Sequence, residues 1–158
     1  MKGELVDPMT DRLQHAESLY HRLVLLVGAG GTGKSKTLHD VADRTGAPLV
    51  NVSLELSRRL LDVAERQRPH RVQRLLELIV AESDASVVLL DNIEILFHVA
   101  LQQDPLRLLQ TLSRSRTVAA TWTGYIEDGY IEYARPGHPE HRRYPAEGIL
   151  AVTLEGAD

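Results

Sequence analysis

The sequence predicts an α/β fold in which a mostly parallel β-sheet is flanked by helices. Short, wholly apolar runs such as RLVLLVG (22–28) and SVVLLDN (86–92) are typical of strands that are buried on both faces of a sheet. These runs alternate with stretches whose apolar residues recur at helical spacing, which indicates strands joined by crossover helices. A chain of 158 residues is long enough for one domain, so we expect a single domain over 1–158.

The first third of the chain contains the first two predicted strands. The expected elements are a helix over 10–22, a strand over 22–28, a helix over 33–45 that Gly46 ends, and a strand over 48–53. The apolar face of the first helix would consist of Leu13, Ala16, Leu19 and Tyr20. Thr10 or Asp11 would cap its N-terminus.

Two further helical patterns and two further strands follow. The helical patterns cover 54–67 and 70–83, and Pro69 either separates two helices or kinks one. The third strand is expected over 86–92 and the fourth over 117–122, with a helix from Asp104-Pro105 through Ser113 between them.

The last part of the chain has a different residue pattern, with a turn signal and a stretch rich in Pro and Gly. Asp128-Gly129 lies between short β-prone stretches, a pattern that predicts a hairpin with a two-residue turn. We expect a loop over 134–148, because it is rich in Pro and Gly, and a final strand over 148–155.

Composition excludes several classes of protein. The chain has no cysteine, which rules out disulfides and thiolate metal sites, and its net charge of −4 argues against a surface that is basic throughout. No apolar run approaches the roughly 20 residues of a membrane span, and the opening residues lack a secretory signal. We therefore expect a cytoplasmic protein without a membrane partner.

A phosphate-binding loop is the strongest motif. GAGGTGKS (28–35) fits G-x-x-x-x-G-K-[ST] and lies between a predicted buried strand and a predicted helix, as this motif requires. Backbone N–H groups of such a loop point at phosphate oxygens, and the following helix adds the positive end of its dipole. The expected nucleotide-binding residues are Gly28, Ala29, Gly30, Gly31, Thr32, Gly33, Lys34, Ser35 and Lys36, although for Lys36 a solvated helix position is the plainer interpretation.

A magnesium site is expected beside this loop. Lys34 would reach the β and γ phosphates, and the Ser35 hydroxyl would bind Mg²⁺. A carboxylate at the end of an apolar strand completes such sites, and Asp91 ends VVLL. The sequence therefore predicts ATP with Mg²⁺ as the ligands, and Ser35 and Asp91 as the metal-binding residues.

The sequence contains several residues that would activate water. Asn92 stands directly after Asp91, where a glutamate would be expected, and an amide orients water without accepting its proton. Glu94 is the preferred carboxylate, and Glu55 after the second strand is the second. Otherwise Asn92 would act together with a residue from a partner, or the protein would hydrolyse little nucleotide. Thr121 or Thr123, at the end of the fourth strand, would sense the γ phosphate.

The late loop combines tyrosines with arginines. Four of the five tyrosines fall between 125 and 144, interleaved with Arg135, Arg142 and Arg143. Three interpretations stay open: a clamp for single-stranded nucleic acid, a protein interface, or a hairpin packed on the sheet. Any arginine finger would come from these residues or from Arg114 and Arg116. His138 and His141 lack an evident third metal ligand.

Several of these segments together resemble a known family. GAGGTGKS, VVLLDNIE, TWTG before a tyrosine-rich hairpin, and GHPEHRRY resemble the BrxF family, small P-loop ATPase-like proteins of type 3 BREX phage-exclusion systems. The resemblance implies a role in phage defence beside other BREX subunits. It also implies a P-loop NTPase of the additional-strand class, with an AAA+ or RecA-like core. The three residues after the last predicted strand would leave no room for a helical lid, which puts a ring-shaped homo-oligomer in doubt.

Three functions are therefore expected from the sequence. The first is a small, lidless P-loop ATPase subunit that turns over slowly unless partners complete its site. The second is a small-molecule or nucleoside kinase with 135–143 as its lid. The third is a nucleotide-gated module that binds DNA or a protein through 125–144 without hydrolysis.

Overall fold

The computed structural model describes residues 5–154, which form a layered α/β structure. Its strands are β1 (Leu23–Gly28), β2 (Leu49–Asn51), β3 (Val87–Asp91), β4 (Thr117–Glu127), β5 (Tyr130–Tyr133), β6 (Arg142–Pro145) and β7 (Leu150–Thr153). Its α-helices are α1 (Val6–Ala16), α2 (Lys34–Thr45), α3 (Val52–Leu60), α4 (Arg68–Val80) and α5 (Pro105–Leu112). Within these residues, no helix is both long enough and apolar enough to cross a membrane.

The central sheet has the strand order β2-β3-β4-β1-β7, and all four pairings in it are parallel. β4 lies between β1 and β3, as the additional-strand class predicts. The predicted α/β fold with a mostly parallel sheet is thereby confirmed. In this order the carboxyl ends of β1, β3 and β4 lie side by side, so side chains just after these strands meet at one edge.

Helices cover both faces of the sheet, which is why its central strands are apolar on both sides. Val24 and Leu26 pack in one cluster with buried residues of α1 and α2. Leu25 and Val27 pack on the opposite face with residues of α3, α4 and α5. All four side chains are fully buried, and each contributes about 1.5–3 kcal/mol relative to exposure.

The first helix differs from its prediction. It begins at Val6 and ends at Ala16, because Val6 and Met9 extend the buried face of Leu13 towards the N-terminus. The Thr10 hydroxyl donates to the Val6 carbonyl within the helix and is not a cap. Tyr20 follows the helix with 73% of its surface exposed, so its predicted place on the apolar face is wrong.

The region between β2 and β3 contains two separate helices. The Asn51 side chain accepts a hydrogen bond from the Leu54 N–H, so α3 starts at Val52 and limits β2 to three residues. α3 ends at Leu60, earlier than predicted. Pro69 lies in the first turn of α4, where its missing N–H costs no helical hydrogen bond.

β4 runs on beyond the parallel sheet into an antiparallel hairpin. It spans 11 residues, and its second half pairs with β5 across Asp128 and Gly129, which both have positive φ, as predicted for this turn. β5 pairs in turn with β6. The loop predicted over 134–148 is therefore wrong for Arg142–Pro145, and the final strand is shorter than expected, at Leu150–Thr153.

Gly124 is required where the parallel and antiparallel parts of β4 meet. A Cβ atom at Gly124 would lie 1.9 Å from the Glu132 carbonyl oxygen and 3.0 Å from Nε1 of Trp122. The Trp122 indole N–H donates to that same carbonyl oxygen at 3.1 Å. The buried Trp122 side chain thus lies next to Gly124 and links β4 to β5 through this hydrogen bond.

Candidate functional site

The phosphate loop follows β1 directly and ends at the first turn of α2. Gly31 and Gly33 have φ of 80° and 93°, values that residues other than glycine rarely adopt. At Gly28 the reason for glycine is space, since a Cβ would lie 2.6 Å from the Thr32 hydroxyl oxygen. Local geometry therefore requires glycine at three positions of the motif.

The Ala29 carbonyl oxygen organises the loop. It accepts hydrogen bonds from the Lys34 ammonium and the Thr32 hydroxyl, each at 2.7 Å. Lys34 is buried, and this burial lowers its pKa, while the charges of Glu94 and Asp91 oppose the shift. The lysine is thus held inside the loop beside two carboxylates.

Asp91 ends β3 and is buried. Its Oδ1 accepts a hydrogen bond from the Thr121 hydroxyl at 3.0 Å and another from the Asn92 N–H at 2.9 Å. Within residues 5–154, its Oδ2 accepts no hydrogen bond, which leaves that oxygen available to a cation. The neighbouring strand β4 therefore orients the carboxylate through Thr121.

Asn92 turns the chain after β3. It has φ 53° and ψ 57°, a left-handed conformation that asparagine tolerates better than most residues. Its carbonyl oxygen accepts hydrogen bonds from the N–H and the hydroxyl of Ser53. Asn92 thus has a conformational role, and its side chain is exposed at the edge of the site.

Glu94 follows in a 3-10 segment over Ile93–Phe97. Its Oε2 accepts a 2.7 Å hydrogen bond from the Thr123 hydroxyl. Thr121 and Thr123 therefore each donate to a carboxylate that the sequence placed in the site. These two hydrogen bonds were not predicted from the sequence, although residues two positions apart on a strand have their side chains on the same face.

These groups surround one cavity of about 440 Å³ at the carboxyl edge of the sheet. Its lining consists of Gly30, Gly31, Gly33, Lys34, Ser35, Asp91, Asn92, Glu94, Thr121 and Thr123. The cavity thus combines loop backbone, one cation, two carboxylates and three hydroxyls. This combination suits a phosphorylated ligand with a divalent cation.

Not all predicted site residues line the cavity. Glu55 lies on α3, where it pairs with Arg59 at 2.7 Å and Arg58 at 3.7 Å, and the hydrogen bond from Arg59 chiefly lowers its pKa. Lys36 is largely exposed and lies 3.9 Å from Asp40. Gly28, Ala29 and Thr32 belong to the phosphate loop but do not line the cavity.

The arginines near the hairpin are engaged elsewhere. Arg116 donates to three carbonyl oxygens at the end of α4, among them that of Ser83 at 2.7 Å. Arg142 donates to the Gln103 carbonyl. Arg135 lies 4.1 Å above the ring of Tyr125, and Arg143 lies 3.5 Å above another tyrosine ring.

A buried carboxylate stabilises the outer face of the hairpin. Glu132 accepts hydrogen bonds from His141 at 2.9 Å and from the Tyr125 hydroxyl at 3.1 Å, and Arg143 lies 3.8 Å away. The hydrogen bond from His141 is the main cause of a lowered pKa for Glu132, and burial opposes it. On the inner face, Tyr133 stacks on Phe97 with 3.5 Å between ring centroids. Tyr133 thus packs against the core, as one of the three interpretations of this region predicts, while the protein interface and the nucleic-acid clamp stay predictions.

Comparison with known proteins gives one family match. Residues 24–119 match the model of the ATPase family associated with various cellular activities (AAA). Curated protein sequences give no match.

Two solved structures resemble the chain at low identity. PCH-2 from C. elegans is 14% identical, with a TM-score of 0.48 over 98% of this chain and 42% of that one. AMPPCP-bound DnaA from Aquifex aeolicus is 14% identical, with a TM-score of 0.47 over 98% of this chain and 46% of that one. The chain spans less than half the length of either structure.

Proposed function

We propose that the chain, which belongs to the AAA family of ATPases, binds MgATP in the cavity at the carboxyl edge of its sheet. It would hydrolyse the nucleotide slowly. One observation carries the proposal: Lys34 of the phosphate loop lines the same cavity as Asp91 and Glu94, which lie far along the chain at the end of β3 and just after it. A glycine-rich turn with a merely structural role would not require two carboxylates beside a buried lysine.

The phosphate loop would hold the triphosphate. Residues 28–35 supply backbone N–H groups, and the N-terminus of α2 supplies the positive end of its dipole. On binding, Lys34 would exchange its hydrogen bond to the Ala29 carbonyl for phosphate oxygens. Burial lowers the pKa of Lys34, and a nearby anion would favour its charged form.

The donor set near Lys34 also fits Mg²⁺. Mg²⁺ prefers oxygen ligands and commonly takes one or two protein groups together with phosphates and water. The Ser35 hydroxyl and Oδ2 of Asp91 are the ligands that we assign to it. When bound, the ion would neutralise charge on the phosphates.

Glu94 is the residue to which we assign the orientation of water. Its carboxylate lines the cavity, whereas that of Glu55 is bound to two arginines on α3. Asn92 lacks a basic group, and its backbone makes the turn that brings Glu94 to the cavity. Thr123 would hold the carboxylate, and Thr121 would hold that of Asp91.

Turnover by the isolated chain is expected to be slow. Among residues 5–154, no arginine lines the cavity, and an arginine that contacts the γ phosphate typically increases turnover by about 10³–10⁵-fold. A second copy of the chain or another subunit would supply this cation. The BREX role, the BREX partners, the lidless form and a cytoplasmic location stay predictions from the sequence.

A nucleotide-gated binding module is the second candidate. The absence of a cavity-lining arginine among the described residues favours it. It predicts tight MgATP binding with negligible phosphate release. A kinase is disfavoured because the segment assigned as its lid, 135–143, is partly built into the hairpin network of Glu132.

Nucleotide binding and phosphate release by matched variants would test the proposal. Lys34→Ala is expected to weaken MgATP binding at least about tenfold, because two or more charge-assisted hydrogen bonds are lost. Lys36→Ala, which removes the same charge two residues away, is expected to change it less than about twofold. Equal binding by wild type and Lys34→Ala would contradict the assignment of the cavity.

The same assay separates the candidate functions. Glu94→Gln is expected to bind MgATP normally and to lose phosphate release, whereas Glu55→Gln retains it. Unchanged release by Glu94→Gln would transfer the role to another residue. Phosphate transfer to a metabolite without release into water would favour the kinase, and binding without either reaction would favour the module.

A further inference from the structure

A second polar cavity lies on the chain at a distance from the phosphate loop. It has a volume of about 240 Å³, and its lining includes His21, Arg107 and Arg114. His21 and Arg114 precede β1 and β4 in the chain, so they lie near the amino ends of these parallel strands. The nucleotide cavity lies at the carboxyl ends, at the opposite edge of the sheet.

Two of the residues that line this cavity are exposed arginines. Arg107 and Arg114 are seven residues apart, so they lie on one side of α5 and its C-terminal turn. Both are exposed, and neither takes part in the ion pairs formed within residues 5–154. Their guanidinium groups therefore stay available to an anion.

The one carboxylate in the lining is already engaged. Asp104 caps α5 by accepting from the Arg107 N–H, and it accepts a 2.7 Å hydrogen bond from the Tyr144 hydroxyl. Burial raises the pKa of Tyr144, and that bond adds to the shift, so the hydroxyl stays protonated as the donor. The side chains that line the cavity therefore carry a net positive charge, in contrast to the net charge of −4 of the whole chain.

An exposed aromatic ring adjoins these cations. Tyr20 is the only aromatic side chain exposed to this degree among residues 5–154, at 73%. The Arg114 guanidinium lies 5.5 Å from its ring, and the His21 ring packs edge-on at 4.8 Å. Arg22 donates to the Arg114 carbonyl, which ties the two segments together.

This arrangement contrasts with that of the hairpin. There, Arg135 and Arg143 cover tyrosine rings, and Tyr133 lies in the core. These two guanidinium groups lie closer to their rings than Arg114 lies to Tyr20, and Tyr125 and Tyr130 are only partly exposed. At Tyr20, a solvent-exposed ring and unpaired arginines coexist, which is what a strand of nucleotides requires.

We propose that Tyr20, Arg107 and Arg114 form a binding site for single-stranded nucleic acid, in which the arginines contact phosphates and Tyr20 stacks on a base. The exposed ring favours nucleic acid over an acidic peptide, because stacking adds a contact that carboxylates do not offer. The site is independent of the phosphate loop and of the ATPase proposal.

The test is fluorescence anisotropy of the full chain with labelled oligo-dT and oligo-U of equal length, without ATP. Arg107→Ala combined with Arg114→Ala is expected to weaken binding and to reduce the salt slope of log K by about 1.4, since roughly 0.7 is lost per phosphate contact on a single strand. Tyr20→Ala is expected to weaken binding at least about fivefold, and Tyr20→Phe is expected to retain it. An abasic strand separates the two contributions, because its binding should be insensitive to Tyr20→Ala.

Arg71→Ala is the matched control, since Arg71 is an exposed arginine on α4. It removes one charge elsewhere and is expected to leave affinity within about twofold. Lys34→Ala should also leave it unchanged. Thermal unfolding of every variant shows that the fold is retained.

Several results would overturn the proposal. These are absence of binding by the wild type, an equal loss on Arg71→Ala, or polyglutamate competing as well as the oligonucleotide. Preference for oligo-U over oligo-dT, or the reverse, would identify the class of strand and leave the site standing.

Discussion

The Thr123 hydroxyl donates a 2.7 Å hydrogen bond to Oε2 of Glu94. The two residues lie 29 positions apart and come from β4 and from the 3-10 segment after β3. Their contact fixes the position of the second carboxylate in the cavity, which follows Asp91 in the chain.

Removal of the Thr123 hydroxyl should impair turnover. Thr123→Val keeps the shape of the side chain and loses the hydrogen bond, which for a charged acceptor corresponds to about tenfold in rate. Phosphate release should fall by that factor at unchanged MgATP affinity, and Thr123→Ser should retain it. Faster release by Thr123→Val would instead identify the contact as a restraint on Glu94.

Thr121 should act through the cation. Thr121→Val removes a donor to Oδ1 of Asp91 but leaves the donor from the Asn92 backbone. The Mg²⁺ concentration for half-maximal nucleotide binding should rise severalfold, because hydrogen-bond donors such as Thr121 orient carboxylates that bind a metal. Thr121→Ser is the matched control, and an unchanged Mg²⁺ dependence would exclude Asp91 as the ligand.

Gly124 should be the least replaceable glycine outside the phosphate loop. Its Cβ would lie 1.9 Å from the Glu132 carbonyl oxygen, so Gly124→Ala must separate β4 from β5 and should cost about 3 kcal/mol of unfolding free energy. Gly30→Ala has no atom within 4 Å of the new methyl and should leave stability nearly unchanged. Chemical denaturation of both variants measures the difference, and equal stability would refute the close approach.

Glu132 should make the hairpin sensitive to acid. His141, with smaller contributions from Tyr125 and Arg143, holds its pKa below the ordinary value, so its folded pKa lies under its unfolded pKa. The resulting stability is present above the ordinary glutamate pKa of about 4.3 and is lost as pH falls through the lower folded value.

Denaturation between pH 7 and pH 3 would measure this loss. Glu132→Gln should be less stable at pH 7, with a flatter dependence below about pH 4.3. Glu127→Gln, on the same face of the hairpin and exposed, should follow the wild type. A parallel acid limb in wild type and Glu132→Gln would show that the network does not titrate with folding.

Elements with local signals were predicted closely from the sequence. α2 starts and ends within one residue of its prediction because Gly33 and Gly46 adopt left-handed conformations at its two ends. α5 starts at the predicted Asp104 cap. β6 was missed because RRYP carries charges and a proline, and only its pairing with β5 makes it a strand.

The candidate site was predictable in part for the same reason. Lys34 and Asp91 each follow an apolar strand, and parallel strands bring such positions to one edge. The Thr123 contact depends on the alignment of neighbouring strands and on the left-handed turn at Asn92, neither of which is written in a local motif. Glu55 lies off the site because Asn51 starts α3 immediately after β2.

β4 is one uninterrupted strand from Thr117 to Glu127, about 36 Å long at roughly 3.3 Å per residue. Thr121 and Thr123, near its middle, line the cavity beside the phosphate loop, and its last residues pair with β5 in the hairpin. One continuous strand therefore joins the hairpin to the hydroxyls that hold Asp91 and Glu94. We expect a partner that displaces the hairpin to change the positions of both carboxylates.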